Sequence, residues 1–194
     1  MNWLAHLYLS EPQTEFQLGN VMTDILKGHR WPSMSDDFLR GIDCHHKIDA
    51  YTDRHKVVER SKARLKGNPR LRGIVVDVFY DHLLTLHWQD YCDVSMREHL
   101  DTFYEQALAA STGYPELAQE FVQSLVESDR LGRYGDMQEL SWAYERIDTH
   151  LSERALRRGR LVEFMPSLKE QFQNLEEDFA CFFPDLMRHV GKTR

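Results

Sequence analysis

A chain of 194 residues with 42% hydrophobic side chains can bury one sizeable core without disulfides or a structural metal. Its formal net charge of −7 speaks against a nucleic-acid binder, because a surface that tracks phosphates needs an excess of lysine and arginine. The three cysteines, Cys44, Cys92 and Cys181, are odd in number and far apart, so they read as reduced packing residues of a cytoplasmic protein.

The first residues, Met1 to His6, carry no positive leader, and nowhere do about eighteen apolar residues follow one another, so neither secretion nor membrane spanning is expected. Apolar residues recur at helical spacing almost throughout, which predicts an all-α fold built as a single helical domain over residues 1–194. The first helix is expected over Asn2–Leu9, ended by Glu11-Pro12, and the second over Thr14–Lys27, stopped by Gly28. Ser35-Asp36-Asp37 marks the start of a long helical segment through His45 to about Lys66, closed by Gly67-Asn68-Pro69. Arg70–Tyr91 follows, apolar nearly all round between Ile74 and Leu86 and therefore expected at the centre of the fold. The rest reads as scaffold helices over Met96–Ala110, Pro115–Ser128, Met137–Arg157 and Val162–Phe183, the last broken by Pro184. A basic group, Arg154, Arg157, Arg158 and Arg160, is expected to complement a helix C-terminus.

The chemistry concentrates in the first half. Asp77 and Asp81 lie one turn apart on the most apolar helix, with His82 beside the second. A buried carboxylate needs compensation, and a divalent cation or an arginine can provide it. The preceding segment repeats the pattern, with His45 and Asp49 one turn apart, Asp53 continuing the face and His46 adjacent. Asp24 and His6 add a carboxylate and an imidazole on two further helices, each among apolar neighbours. Such mixed oxygen and nitrogen sets suit manganese, iron, zinc or, with more oxygens, magnesium. Each residue also has a plainer reading, as a hydrogen-bonded core histidine or as a surface acid, Asp49 and Asp53 paired with Lys47, Arg54 or Lys56 and Asp24 paired with Lys27. The aromatics Trp3, Phe79, Tyr80 and Trp88 read either as core or as a channel lining.

Between Arg54 and Arg72 the chain carries Arg54, Lys56, Arg60, Lys62, Arg64, Lys66, Arg70 and Arg72 against the single acid Glu59. This is either a solvated helix face or a docking patch for an acidic partner.

Asn2-Trp3-Leu4-Ala5-His6-Leu7, Gly19-Asn20 with Asp24, Gly41-Ile42 with His45, Ile48-Asp49, Thr52-Asp53, Asp77 with Asp81-His82, and His87-Trp88 together resemble the acyl carrier protein phosphodiesterase family. The resemblance implies a divergent HD-domain-like, all-α, metal-dependent phosphodiesterase favouring Mn2+, with Mg2+, Fe2+ or Zn2+ as alternatives. Its implied reaction is hydrolysis of holo-acyl carrier protein to the apo-protein and 4′-phosphopantetheine by metal-activated water. It implies Asp24, His45, Asp77 and Asp81 as metal ligands, with His6 and Asp49 next, and His82 or His46 as proton donor or water positioner. The acidic carrier protein is then expected on Arg54, Lys56, Arg60, Lys62, Arg64 and Lys66. The chain departs from the superfamily pattern in containing no His-Asp dipeptide. Two rival readings stand beside this one. The first is an HD-like phosphohydrolase of a nucleotide or small phosphodiester, which predicts turnover of free nucleotides. The second is a non-enzymatic helical adaptor whose buried acids pair with arginine, which predicts no bound metal.

Overall fold

The computed structural model describes residues 1–157 and 159–193. The N-terminal segment forms one short helix, α1 (Trp3–Tyr8), and after Pro12 the chain enters α2 (Thr14–Leu26). α2 stops one residue sooner than expected, because Lys27 at φ 48° already takes the left-handed conformation that Gly28 continues at φ 82°. Ser35 caps α3 (Asp36–Arg54), its Oγ accepting from the Phe38 amide at 3.1 Å, with Asp36 and Asp37 at the positive end of the dipole.

The single segment expected from Ser35 to Lys66 is broken at His55. Its backbone is extended (φ −77°, ψ 124°), and its Nδ1 accepts from the Val57 amide to begin α4 (Lys56–Arg64). Ring contacts of His55 with Tyr51 and Phe182 hold this bend, which is a tertiary cause with no local signal. The expected Arg70–Tyr91 helix divides at His87 into α5 (Arg72–Leu86) and the short α6 (Trp88–Tyr91).

The second half contains α7 (Met96–Ser111), α8 (Glu116–Glu127) and α9 (Met137–His150). α9 ends well before Arg157. The Asp148 carboxylate turns back to accept from the Leu161 amide at 2.8 Å, and among the described residues between them the short α10 (Glu153–Leu156) is the one helix. Of the basic group expected here, Arg160 pairs with Asp148 at 3.6 Å and Arg157 with Glu153 at 3.8 Å, while Arg158 lies outside the described residues. A 3-10 turn (Leu161–Phe164) leads into α11 (Met165–Val190), which carries Pro184 inside it instead of ending there. Proline withholds one amide and costs roughly 3 kcal/mol in a helix interior. Burial of Phe182, Phe183, Leu186 and Met187 on either side outweighs it.

No strand occurs among the described residues, so the all-α reading is correct. One continuous apolar cluster runs through the fold from Leu4 and Leu7 to Phe183 and Leu186. Phe79, Tyr80 and Trp88 are core, not channel, and Trp3 packs edge-on against Phe121 with ring centroids 5.5 Å apart. All three cysteines are free; Cys44 and Cys92 pack half-buried against the core and Cys181 is exposed. Among the described residues no helix is long and apolar enough to cross a membrane.

The crossing of α2 and α3 positions everything that follows. A Cβ on Gly19 would stand 2.1 Å from the Phe38 carbonyl oxygen, and one on Gly41 would stand 2.1 Å from that of Phe16. Only hydrogen at these two positions lets the backbones approach so closely. The approach delivers the backbone of Asn20 to the side of His45.

Candidate metal centre

Asn20, fully buried on α2, orients two imidazoles from two other helices. Its side-chain Oδ1 accepts from His6 Nδ1 at 2.8 Å, and its Nδ2 donates to the His6 carbonyl and to Ser10 Oγ, each at 2.9 Å. Its backbone carbonyl accepts from His45 Nδ1 at 2.8 Å. With Nδ1–H so committed, each ring turns Nε2 inward, and the two rings stack with centroids 4.1 Å apart and planes 15° from parallel.

Both Nε2 atoms face Asp49. His6 Nε2 lies 3.3 Å from its Oδ1 and His45 Nε2 lies 3.1 Å from its Oδ2, while Asp24 Oδ1 stands 3.3 Å from His45 Nε2 on the other side. Among the described residues neither buried Nε2 has a partner in hydrogen-bonding geometry. One ligand atom each from His6, His45 and Asp49 can be chosen within 4.8 Å of one another. Ligands held about 2.0–2.2 Å from one ion stand roughly 3–4 Å apart, so the spacing fits a single cation. Asp49 is 38% exposed, and Asp77 on α5, 29% exposed, joins through the α-ammonium of Met1, which lies 3.3 Å from Asp49 and 3.4 Å from Asp77.

The electrostatics call for positive charge at this point. Burial would raise the Asp49 carboxyl, but His45, His6 and the Met1 ammonium hold it far below the usual carboxylate range. Burial would lower His45, yet Asp24 and Asp49 push it up to about 9. His6 is lowered, because burial outweighs its Asp49 neighbour, so it stays neutral with a lone pair on Nε2. A proton on His45 thus satisfies part of the carboxylate charge, while the His6 lone pair is a donor that no proton uses. A divalent cation uses all of them, and a set of two imidazoles and one to three carboxylates fits manganese, iron or zinc better than magnesium.

The family profile described as acyl carrier protein phosphodiesterase matches residues 1–186. The chain belongs to this family. Acyl carrier protein phosphodiesterase of Escherichia coli O6:H1 (strain CFT073) is 30% identical over 200 residues, covering 99% of this chain and 98% of the relative. That of Escherichia coli (strain K12 / DH10B) is 28% identical over 197 residues, covering 99% and 98%. No solved structure matches the chain.

Other residues expected in the centre of an acyl carrier protein phosphodiesterase stand elsewhere. Asp81 is fully buried, whereas Asp77, expected to be buried with it, is partly exposed. Asp81 Oδ2 accepts from the Leu4 amide at 2.8 Å and its Oδ1 from the Ala5 amide at 3.1 Å. α1 has no side-chain cap of its own and no acid in its first turn, so a carboxylate from α5 does that work and holds in place the helix that carries His6. His82 faces away, with Nδ1 2.5 Å from the Tyr134 carbonyl and Phe79 and Phe172 around its ring. His46 is exposed, edge-on to His45 with centroids 5.7 Å apart, and lines a cleft together with Asp24.

Removing the Asp81 cap has a measurable consequence. Asp81→Ala strands two buried amides and is expected to cost about 2–4 kcal/mol, or roughly 5–15 °C in Tm for a chain of this size. Burial raises the Asp81 carboxyl to about 7 against the pull of the Leu4 and Ala5 amides. The folded state therefore holds this proton more tightly than the unfolded state, and stability falls as pH rises from about 4 to about 7. Circular dichroism melts at pH 5 and pH 8 should show that fall in the wild type and a smaller one in Asp81→Asn; equal slopes would remove Asp81 as its source.

Asn20 is the contributor that residue-type reasoning left without a role, although an amide in the apolar run Leu18 to Met22, one turn before Asp24, is the signal that reveals it. The basic segment also changes meaning. Arg60 and Arg64 both bind Asp178, a fully buried acid of α11, at 2.5 and 2.9 Å. Lys62 pairs with Asp53 at 3.4 Å and Lys66 with Glu170 at 2.7 Å. Of the expected docking residues, only Arg54 and Lys56 have no carboxylate partner among the described residues, and both are exposed.

Proposed function

We propose that this chain hydrolyses the phosphodiester joining 4′-phosphopantetheine to a serine of holo-acyl carrier protein, with a divalent ion held by His6, His45 and Asp49 and bordered by Asp24 and Asp77. The observation that carries the reading is the pair of buried imidazoles, each anchored through Nδ1 to Asn20, whose unbonded Nε2 atoms converge on one carboxylate. When bound, such an ion neutralises charge on the phosphoryl oxygens and makes water more acidic. The donor set favours Mn2+ over Mg2+ in this reading, and a cytoplasmic location belongs to it.

The reaction forms a bond from water oxygen to phosphorus, breaks the bond from phosphorus to the serine oxygen, and returns a proton to that oxygen. In this reading His46, exposed beside Asp24 at the cleft, gives that proton, and His82, committed to the Tyr134 carbonyl, does not. Asn20 and Asp81 act through position, the first by fixing both imidazoles and the second by holding α1.

The adaptor alternative requires the buried acids to be paired with arginine. Asp178 meets that requirement, but Asp49 faces imidazoles and Asp81 faces amides. Incubation with holo-acyl carrier protein and manganese, read by mass, is expected to release 4′-phosphopantetheine and to fail in EDTA. Release unaffected by chelation would refute the metal assignment, and turnover of free nucleotides alone would favour the small-phosphodiester reading.

The carrier protein docks, in this reading, on Arg54 and Lys56 and not on the internally paired half of the segment. Arg54→Glu with Lys56→Glu should raise KM for the carrier protein roughly tenfold and flatten its salt dependence at unchanged Tm. A KM unaffected by the double reversal would remove this face from docking.

A further inference from the structure

A cleft of 320 Å³ opens between the C-terminal turn of α2 and the outer face of α3. Asp24 forms the wall it shares with the His–Asp cluster, and His46, Lys27, His29 and Arg30 line its mouth. Leu26 and Ile42, both buried, supply its apolar floor. The consecutive left-handed residues Lys27 and Gly28, with the His29 amide donating to the Leu26 carbonyl at 2.8 Å, close the turn that carries these cations. Among the described residues neither Lys27 nor Arg30 has a carboxylate within ion-pair distance, whereas Arg40, Arg60, Arg64 and Arg97 all do.

Cations following a helix C-terminus often do no more than complement its dipole. Here they rim a concave space of the size that holds small organic ligands, about 300–1,000 Å³, and that space ends at the proposed point of phosphoryl chemistry. A cationic mouth over an apolar floor suits a molecule with a phosphate next to branched aliphatic carbons. The prosthetic arm has this make-up where its phosphate meets the pantoyl unit.

We propose that this cleft seats the phosphate-bearing end of the prosthetic arm, with Lys27, His29 and Arg30 holding phosphate oxygens turned away from the His–Asp cluster and Leu26 and Ile42 carrying the dimethyl carbons beside it. The proposal rests on the phosphodiesterase reading and adds the residues that select the arm. Free phosphorylated arm is then a ligand in its own right, and a product inhibitor.

The test is equilibrium binding of 4′-phosphopantetheine, unphosphorylated pantetheine and AMP to the full chain by calorimetry, with manganese and with EDTA. The phosphorylated arm is expected to bind at least ~10-fold more tightly than either comparison ligand in one of the two conditions. Lys27→Gln with Arg30→Gln should abolish that preference at unchanged Tm, while Lys62→Gln with Lys66→Gln should preserve it. Equal binding of pantetheine reduces the cations to dipole partners, equal binding of AMP makes the site a general phosphate site, and a preference surviving the first double variant moves the ligand elsewhere; each overturns the proposal. Release of the arm from holo-acyl carrier protein, measured separately, tells the two readings apart. A binding preference without turnover leaves the cleft and defeats the phosphodiesterase, and turnover without preference does the reverse.

Discussion

His45→Ala is expected to abolish the manganese-dependent rise in melting temperature and to lower turnover of holo-acyl carrier protein at least ~10³-fold. His45 is the side chain that meets both Asp24 and Asp49, so its loss leaves Asp49 with His6 alone and removes Asp24 from the group. A ligand at about 100 times its Kd stabilises the folded state by about 2.7 kcal/mol, roughly 5–10 °C here, and that increment is what the variant should lose. The metal-free variant should melt only a few degrees lower, since the lost ring stacking with His6 is partly offset by relief of a crowded buried site. Asn20→Ala separates position from ligation. Both imidazoles survive; His6 loses the side-chain oxygen that accepts its Nδ1 proton while His45 keeps the backbone carbonyl of residue 20, and manganese affinity should fall about 10–100-fold without vanishing. Asp24→Asn should act more weakly still, because Asp24 is 68% exposed and its carboxylate touches only one ring. A manganese-induced shift of full size in His45→Ala would show that the cation sits elsewhere, and the phosphodiesterase mechanism would have to be built on other residues.

The helices and their order were legible wherever local chemistry sets the boundary. Ser35 with Asp36 and Asp37 announced α3, and Gly28 and Gly67 announced the ends of α2 and α4. Boundaries set by distant packing were not. The bend at His55 depends on Phe182, more than a hundred residues on, and Pro184 is tolerated because its neighbours are buried. The same distinction runs through the site. His6, Asp24, His45 and Asp49 could be picked out as polar residues on apolar helices, and the structure brings them together. Asp81 fits the rule that a buried carboxylate needs compensation, but the compensation is a pair of backbone amides at an uncapped helix start, which residue types do not reveal. The partners of Arg60 and Arg64 were hidden for a related reason, since Asp178 lies 118 and 114 residues away in sequence.

Reversing Arg60 and Arg64 to glutamate should unfold the protein before it informs on docking. Asp178 has no exposure, and its two oxygens receive Arg60, Arg64 and Ser61, whose hydroxyl is 2.8 Å from that of Tyr80. Removing one side of a buried ion pair costs about 3–5 kcal/mol, because the remaining charge keeps its desolvation without its partner. Double reversal adds repulsion, and a loss above ~5 kcal/mol is expected, against a total stability of about 5–15 kcal/mol. Asp178→Asn keeps an acceptor and leaves two arginines that can turn to water, so its cost should be nearer 1–3 kcal/mol. Burial raises the Asp178 carboxyl, but Arg64, Arg60 and Ser61 outweigh it and hold the group below its ordinary range. Its contribution is therefore complete above about pH 4 and lost as pH falls through the depressed value, so the wild type should lose stability below pH 4 more steeply than Asp178→Asn. Urea melts of the three proteins at pH 3 and pH 7 measure both effects, and a double reversal that melts like the wild type would return Arg60 and Arg64 to the docking surface. The cost falls on Asp178 because α4 and α11 close over it, so a loss of turnover in the double reversal reports this buried acid first. The exposed pair Arg54 and Lys56, which no acid holds among the described residues, can be reversed to ask where an acidic carrier protein lands.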